Sequence, residues 1–182
     1  MFTRSDAVKL LRSLPFASAQ DVTSFVERVG KVTAGEIAKL LPEIADLAPR
    51  STPQAHKLRC EAFLAVTLNN PSPDLFVPCL RALNKADEAL ATVLISALPH
   101  VNHVPAHGEV VEMLGSPKPS LRVAAGEVLK QVGGRSALEA ATTRALDPGF
   151  GGRNEAMNVF LARAGQHALP LLGAVLKAGK PQ

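Results

Sequence analysis

Leu41-Pro42-Glu43-Ile44-Ala45-Asp46-Leu47 is the stretch of this 182-residue chain that decides its fold, because variants of it return along the sequence. Val77-Pro78-Cys79-Leu80-Arg81-Ala82-Leu83 and Leu169-Pro170-Leu171-Leu172-Gly173-Ala174-Val175 keep the proline and its apolar neighbours. Glu109–Leu114 and Ala141–Leu146 fill the gap between these copies without a proline. The period of roughly 30 residues is typical of stacked helix pairs, which bury their apolar faces only against neighbouring pairs.

A second helix is predicted after each repeated stretch. Leu58–Ala62 aligns with Leu121–Ala125, and Gly152–Ala156 follows one period later. No stretch shows the sustained alternation of a β-strand, so no sheet is predicted. Residues 1–32 are expected to form leading helices that pack on an array of about four and a half units, residues 33–182. The predicted helices are 5–13 and 19–29, the pairs 33–48/54–69, 73–84/87–99, 105–114/119–132 and 136–146/152–164, and a last helix at 167–178.

These residues resemble the HEAT-repeat family, in particular its short bacterial HEAT-like repeats. The family pattern has a proline in the first helix, as at Pro42, Pro78 and Pro170, and then an Asp and an Arg, as at Asp147 and Arg153. The resemblance covers roughly residues 33–178. It implies an all-α fold, a right-handed α-solenoid of stacked antiparallel helix pairs.

The resemblance also assigns a structural role to one arginine of each pair. Arg59, Arg122 and Arg153 occupy the family's arginine position, and Ala91 replaces it in the remaining pair. In the family this side chain bonds the Asp of the turn and carbonyl groups of the neighbouring unit. A ladder of ligand-binding arginines is the alternative interpretation.

Composition narrows the classes of partner. Hydrophobic residues make up 47% of the chain and charged residues 20%, which suits a folded protein with a continuous core. Seven Phe with no Trp and no Tyr argue against sites that stack bases or sugars. No apolar run approaches the ~20 residues that a membrane-spanning helix needs, so no membrane partner is predicted.

The net charge of +4 is concentrated at one end of the chain. A groove that follows a phosphate backbone needs a sustained basic stripe, so a nucleic-acid partner is unfavoured and a basic C-terminal end is kept as an alternative binding site. The surplus lies in residues 151–182, where Arg153, Arg163, Lys177 and Lys180 face only Glu155.

Cys60 and Cys79 are the two cysteines, and they lack the spacing of a metal or redox motif. We expect both to be reduced and buried, as in a cytoplasmic protein. Residues 1–19 have some features of an amphipathic transit peptide, but an ordinary first helix is favoured.

No catalytic or metal-binding pattern is convincing. His100, His103 and His107 form H-x-x-H-x-x-x-H, but we expect exposed loop histidines, because a zinc site needs a further ligand and converging geometry. Gly149–Gly152 is interpreted as a flexible turn rather than a phosphate-binding loop, since no strand precedes it. We predict no cofactor and no metal, and we assign no catalytic residue.

The inner surface of the array is the remaining candidate. In HEAT solenoids the second helices line the concave side, and an apolar row there is a partner site unless the leading helices or another copy cover it. Apolar anchors dominate binding energy, whereas charges at the rim set orientation. The predicted anchors are Leu64, Val93 and Leu161, and the orienting residues are Glu127, Lys130 and Asn158.

The function predicted from these features is a non-enzymatic scaffold or regulatory adaptor that holds a helix or extended segment of another protein. A HEAT-like lyase or base-excision module and a nucleic-acid binder are the alternatives. The 167–178 helix has Leu169, Leu172, Val175 and Leu176 on one face. We therefore expect it to dock on another chain, which allows self-association, or the sequence to continue.

Overall fold

The computed structural model describes residues 6–164, in which helices joined by turns and short loops are the regular structure and no β-strand occurs. The predicted all-α class is confirmed, and the helix predicted at 167–178 lies outside the described residues. Short 3₁₀ segments occur at Ala48–Arg50, Pro73–Leu75, Leu98–Val101 and Val104–Ala106. The α-helices are α1 Ala7–Ser13, α2 Ala19–Val29, α3 Ala34–Ala38, α4 Leu40–Leu47, α5 Pro53–Asn69, α6 Phe76–Leu83, α7 Glu88–Ala97, α8 His107–Met113, α9 Pro119–Val132, α10 Arg135–Leu146 and α11 Arg153–Ala164.

The repeated prolines mark the point where a first helix is interrupted. Pro42 is the third residue of α4, and Pro78 is the third residue of α6. A proline has no N–H to donate to the carbonyl four residues earlier, and for Pro42 that carbonyl belongs to Ala38, the last residue of α3. The helix predicted as one piece over 33–48 is therefore two. No proline lies in α10, which runs unbroken.

Side-chain caps fix the starts of several helices. The Asp21 carboxylate accepts hydrogen bonds from the backbone N–H groups of Ala17 and Ser18 before α2. The Thr52 hydroxyl accepts from the Ala55 N–H at 3.2 Å and begins α5. Such caps satisfy amide groups that have no acceptor within the helix, so the local sequence sets these boundaries.

The chain divides into two compact units, Met1–His103 and Val104–Gln182. In the first unit, α1 packs against α2 and α4, and α2 packs against α5. α5 then packs against α4 and α7, and α7 against α6. The second helices α2, α5 and α7 thus lie in succession, and the leading pair α1 and α2 contacts the next pair. The division into leading helices and an array after residue 32 stays a prediction.

The second unit follows the same packing rule within its described residues. α8 contacts α9 and α10, and α11 contacts α9 and α10. Gly152, just before α11, lies against the backbone of Leu114 and Gly115, where a Cβ atom would overlap the Leu114 carbonyl. The turn glycine at 152 is therefore needed for a close approach of two backbone segments. Glycine at a helix end often adopts a left-handed cap, but Gly133, at the end of α9, has φ −57° and forms none.

The core of each unit is built from the apolar faces of these helices. In α9, Leu121, Ala125, Val128 and Leu129 are buried, as their spacing predicts. The largest fully buried side chains of the described residues are Phe16, Phe25, Phe63, Phe76, Leu11, Ile37, Leu40, Ile44, Leu75, Leu94, Leu98 and Leu114.

Candidate partner-binding groove

A groove of about 600 Å³ lies between α5 and α7 in the first unit. Residues three or four apart on a helix share a face, and this spacing places Lys57, Glu61 and Leu64 of α5 on one wall. Thr92 and Val93 line the opposite wall. We call this surface the α5–α7 groove. Its volume falls in the range of sites that hold a small molecule or a few side chains.

The walls of the α5–α7 groove are largely apolar because its hydroxyl groups bond to their own helix. The Thr92 hydroxyl donates to the Glu88 carbonyl at 2.8 Å. The Ser96 hydroxyl donates to the Thr92 carbonyl at 3.0 Å. With these protons engaged, the α7 wall has little left to donate to a ligand, and contact with Leu64 and Val93 becomes the main attraction that the groove offers.

A buried histidine, His56, is among the residues that line the groove. His56 Nε2 lies 2.7 Å from Asp87 Oδ2, and Asp87 Oδ1 accepts from the Leu90 N–H at 2.9 Å as the cap of α7. Asp87 thus ties α5 to the start of α7. His56 Nδ1 is buried and has no partner within residues 6–164. A contact this specific fixes the register of the two helices that form the groove.

The charges around the α5–α7 groove are mostly negative. Lys57 is the one cation among its lining residues, and Glu61, Asp87 and Glu88 are the carboxylates. Lys57 Nζ lies 3.9 Å from Glu61 Oε1 on the same helix, with both side chains exposed. Glu88 is exposed at the rim. A segment with a basic side chain beside an apolar residue therefore complements this surface.

The cysteine next to this histidine is not an activated nucleophile. Cys60 Sγ lies 3.7 Å from His56 Nε2, the nitrogen that also contacts Asp87 Oδ2 at 2.7 Å. Burial, with the charges of Asp87 and Glu61 adding to it, raises the pKa of the Cys60 thiol to about 12. Burial also raises the pKa of Cys79 to about 12. Both thiols stay protonated at neutral pH, whereas nucleophilic cysteines need a lowered pKa. Both are buried and free, as predicted.

Two of the six residues predicted for the partner surface come together in the α5–α7 groove. Leu64 is half-buried and Val93 is 7% exposed, and both line it. The prediction placed Val93 in an open apolar row. The structure instead buries it, because α7 packs directly against α5. Leu64 is therefore the more accessible of the two anchors.

The other four residues lie in the second unit. Lys130 Nζ pairs with Glu127 Oε1 at 2.9 Å on α9, so these two charges mainly satisfy each other. Asn158 is exposed on α11, and Leu161 is 48% exposed there. Leu161 is therefore accessible to solvent, and its place in a partner surface stays a prediction.

The histidine cluster differs from the expectation at one position. His100 is exposed and His103 is half-buried, but His107 is 1% exposed as the first residue of α8. Exposure was therefore the wrong prediction for His107, which lies within the helix predicted at 105–114. Among residues 6–164, no group of three or more His, Cys, Asp or Glu side chains is arranged to hold a metal ion.

The family arginines bond the turn of their own helix pair. Arg59 Nη1 donates to Ser51 Oγ at 2.7 Å, and Arg122 Nη1 donates to the Ser116 carbonyl at 2.9 Å. Arg153 Nε donates to the Ala145 carbonyl at 3.1 Å. The Asp of the turn, Asp147, pairs with Arg144 instead. The resemblance implied a bond from arginine to that Asp, and this bond is not formed; a bond to the neighbouring pair is formed by Arg122, whose Nε donates to Glu155 of α11 at 2.8 Å.

Two cations of the basic end are engaged with backbone atoms. Arg163 Nη2 donates to the Gly133 carbonyl at 2.6 Å, and Arg163 Nη1 donates to the Gln131 carbonyl at 3.4 Å. Arg153 bonds Ala145 as described. Lys177 and Lys180 lie outside the described residues. The described part of this end thus uses its arginines to hold helix and turn carbonyls.

Sequence reasoning missed His56 and Asp87, the most specific polar contact of the groove. Asp87 carried a usable signal, because an Asp directly before a helical pattern is a typical cap. The only sequence signal at His56 was its position four residues before Cys60, and this spacing alone does not predict a contact with Asp87. The pairing of the two residues needs α5 beside α7, a tertiary contact that no local pattern specifies.

The geometry defines an all-α chain of helix pairs with an open, mostly apolar groove between two second helices. Comparison of the chain with protein-family models, with curated proteins and with solved structures finds no match. The HEAT resemblance therefore stays a prediction. No helix of the described residues has the length and apolar character needed to cross a bilayer.

Proposed function

We propose that this chain is a non-enzymatic, cytoplasmic protein-interaction module, a HEAT-like right-handed α-solenoid that holds a segment of a partner protein along its second helices. The observation that carries the proposal is the α5–α7 groove. The succession of α2, α5 and α7 in the first unit and the contact of α9 with α11 in the second support the repeat architecture.

The partner segment is a helix or extended stretch with an apolar anchor and a neighbouring Lys or Arg. The apolar anchor follows from Leu64 and Val93, and the basic residue follows from the excess of carboxylates at the rim. An apolar side chain buried at the centre of such a site supplies most of the binding energy, while the rim charge adds orientation and speeds association.

The alternatives have less support in the described residues. A nucleophile-based lyase would need an activated side chain, and the Cys60 thiol beside His56 is held protonated by burial. A nucleic-acid site at the basic end would use Arg153 and Arg163, which are engaged with backbone carbonyls. No observation on the described residues favours either alternative over partner binding in the α5–α7 groove.

The test is selection of peptides from a random display library against the full chain, followed by affinity measurements on the selected peptides. We expect them to share an apolar residue beside Lys or Arg. Leu64→Glu should weaken their binding about 10- to 100-fold, because it places a charge where the anchor is desolvated. Glu88→Gln should weaken binding about threefold and reduce its dependence on salt.

Leu68→Glu is the matched control. Leu68 lies on the same helix, one turn after Leu64, and is 41% exposed without lining the groove. It should leave the affinity unchanged. Peptides whose binding resists Leu64→Glu and Glu88→Gln would refute the groove as the binding site.

Leu161→Glu measures how far the partner surface extends. If this variant binds a long peptide more weakly, the partner contacts α11 as well as the groove. The predicted row of Leu64, Val93 and Leu161 requires this result. An unchanged affinity would restrict the site to the first unit. In both cases thermal stability should stay near that of the parent chain, because Leu161 is 48% exposed.

A further inference from the structure

Arg59 of α5 is a buried cation without a counter-charge in the described part of the chain. It is 8% exposed. Nη1 donates to Ser51 Oγ at 2.7 Å, and the guanidinium carbon lies 5.2 Å from the centre of the Phe16 ring. Nε is buried and has no hydrogen-bond partner within residues 6–164. No carboxylate of these residues lies within 4.0 Å of its nitrogens.

Such an arrangement is energetically unfavourable without a ligand. A guanidinium remains charged at all ordinary pH values, and burying an unpaired charge costs several kcal/mol unless hydrogen bonds compensate it. The Ser51 hydroxyl and the Phe16 ring compensate only part of this cost. Burial lowers the pKa of Arg59, and no nearby carboxylate raises it again.

Arg59 borders a pocket of about 490 Å³ at the start of α5. Arg50, an exposed residue, supplies a second guanidinium, and no Asp or Glu is among the lining residues. Gln54 also lines the pocket, and its backbone N–H lies in the first turn of α5, where no acceptor exists within the helix. We call this site the Arg59 pocket.

We propose that the Arg59 pocket binds a phosphoryl group, carried by inorganic phosphate or by a small phosphomonoester. Two guanidinium groups match a group with charge close to −2 better than a carboxylate with charge −1. Arginine is suited to phosphate oxygens because its planar donors are arranged as a fork. The helix start adds a backbone N–H and a positive partial charge on the same side.

The Arg59 pocket is independent of the proposed partner groove. The two sites share no lining residue. Arg50 also borders a depression with Glu43 and Asp46, but Glu43 is held by Arg12 through Nε at 2.7 Å. Among residues 6–164, no ion pair within 4.0 Å neutralises Arg50. Both cations of the pocket therefore remain available to a ligand.

The test is calorimetric titration of the full chain with inorganic phosphate and with phenyl phosphate in chloride buffer. We expect dissociation constants below about 1 mM for at least one of these probes. Arg50→Gln should weaken binding about tenfold, because it removes one charge-assisted contact from an exposed position. Arg81→Gln, an exposed arginine of α6 that lines none of these sites, should leave binding unchanged.

Arg59→Met should abolish binding, and circular dichroism of the same sample checks that the helices remain. If Arg59→Met fails to fold, the Arg50→Gln and Arg81→Gln pair still decides the question. Tighter binding of phenyl phosphate identifies a monoester as the source, and equal or weaker binding identifies free phosphate. An absence of binding by the parent, equal losses in both surface variants, or benzoate binding as tightly as phosphate would overturn the proposal.

Discussion

Arg59 and Arg122 occupy the same position in two helix pairs, 63 residues apart, but only Arg122 pairs with a carboxylate within residues 6–164. Arg122 Nε donates to Glu155 Oε1 at 2.8 Å, and its Nη1 donates to the Ser116 carbonyl. Arg59 bonds Ser51 and covers Phe16, with no carboxylate beside it in residues 6–164. Both arginines thus bond the turn of their own pair, whereas the presence of a carboxylate partner depends on the neighbouring helix.

The difference originates in the second helix that packs next. α11 packs against α9 and carries Glu155 in its first turn, where it reaches Arg122. α7 packs against α5 but has its carboxylates at Asp87 and Glu88, and both line the α5–α7 groove. Glu155 of α11 therefore pairs with the arginine of the preceding helix pair, whereas Asp87 pairs with His56 and caps α7, and Arg59 has no carboxylate partner in residues 6–164.

The largest expected effect comes from Gly152→Ala, which disturbs the start of α11 and so the Glu155 partner of Arg122. The added Cβ would overlap the Leu114 carbonyl, and both sides of this contact are backbone, so relaxation is costly. We expect a loss of about 3 kcal/mol in the free energy of unfolding, measured by urea denaturation.

Gly151→Ala is the control for that prediction. The nearest atom to its Cβ would be the Gly115 carbonyl oxygen at 3.7 Å, an ordinary contact distance. We expect a change within about 0.5 kcal/mol. Equal effects of the two substitutions would mean that Gly152 does not require a close approach of the two segments.

The second prediction compares Arg122→Met with Arg59→Met and expects opposite signs. Arg122→Met leaves Glu155 and the Ser116 carbonyl without their donor, so the free energy of unfolding should fall by about 1 to 2 kcal/mol. Arg59→Met removes an unpaired buried charge and keeps apolar contact with Phe16, so stability should stay equal or rise by up to about 1 kcal/mol. Urea denaturation in phosphate-free buffer measures both.

One outcome would contradict the expected difference between the two variants. If Arg59→Met destabilises the chain as much as Arg122→Met does, the bond to Ser51 and the Phe16 contact outweigh the cost of burying the charge. Arg59 would then be a structural arginine of the kind that the resemblance implies. Addition of phosphate to the parent should raise its midpoint, and Arg59→Met should remove that shift.

The helix boundaries were predictable because their signals are local. The helix predicted over 54–69 differs by one residue from α5, Pro53–Asn69. The helix predicted over 119–132 coincides with α9, Pro119–Val132. Proline, glycine and capping residues act within one turn of the chain, so no tertiary information is needed. The break between α3 and α4 was missed, although Pro42 itself was the signal for it.

The sites were less predictable because they depend on contacts between helices. Leu64 was placed correctly at an inner surface, but the burial of Val93 depends on how closely α7 approaches α5. The lack of a carboxylate near Arg59 is equally invisible in the sequence, since acidic residues occur on both neighbouring helices. A repeat alignment identifies equivalent positions, and only packing decides which of them are paired.

The smallest expected effect is a dependence of stability on acid pH that involves Arg122 but not Arg59. The hydrogen bond from Arg122, with a backbone hydrogen bond adding to it, lowers the pKa of Glu155 below its ordinary value. A carboxylate with a lowered folded-state pKa contributes stability that is fully present above its unfolded-state pKa. This stability is lost as the pH falls through the folded-state pKa. Both side chains are partly exposed, so the contribution should stay below about 1 kcal/mol.

Urea denaturation of the parent, Arg122→Met and Arg59→Met between about pH 6 and pH 3 measures this contribution. Arg122→Met should lose less stability on acidification than the parent, because its Glu155 no longer has a favoured ionised form. Arg59→Met should keep the acid dependence of the parent, since no carboxylate of residues 6–164 pairs with Arg59. A reduced acid dependence in Arg59→Met would reveal a carboxylate that responds to Arg59. In that case both arginines would interact with a carboxylate, and they would differ only in the strength of that interaction.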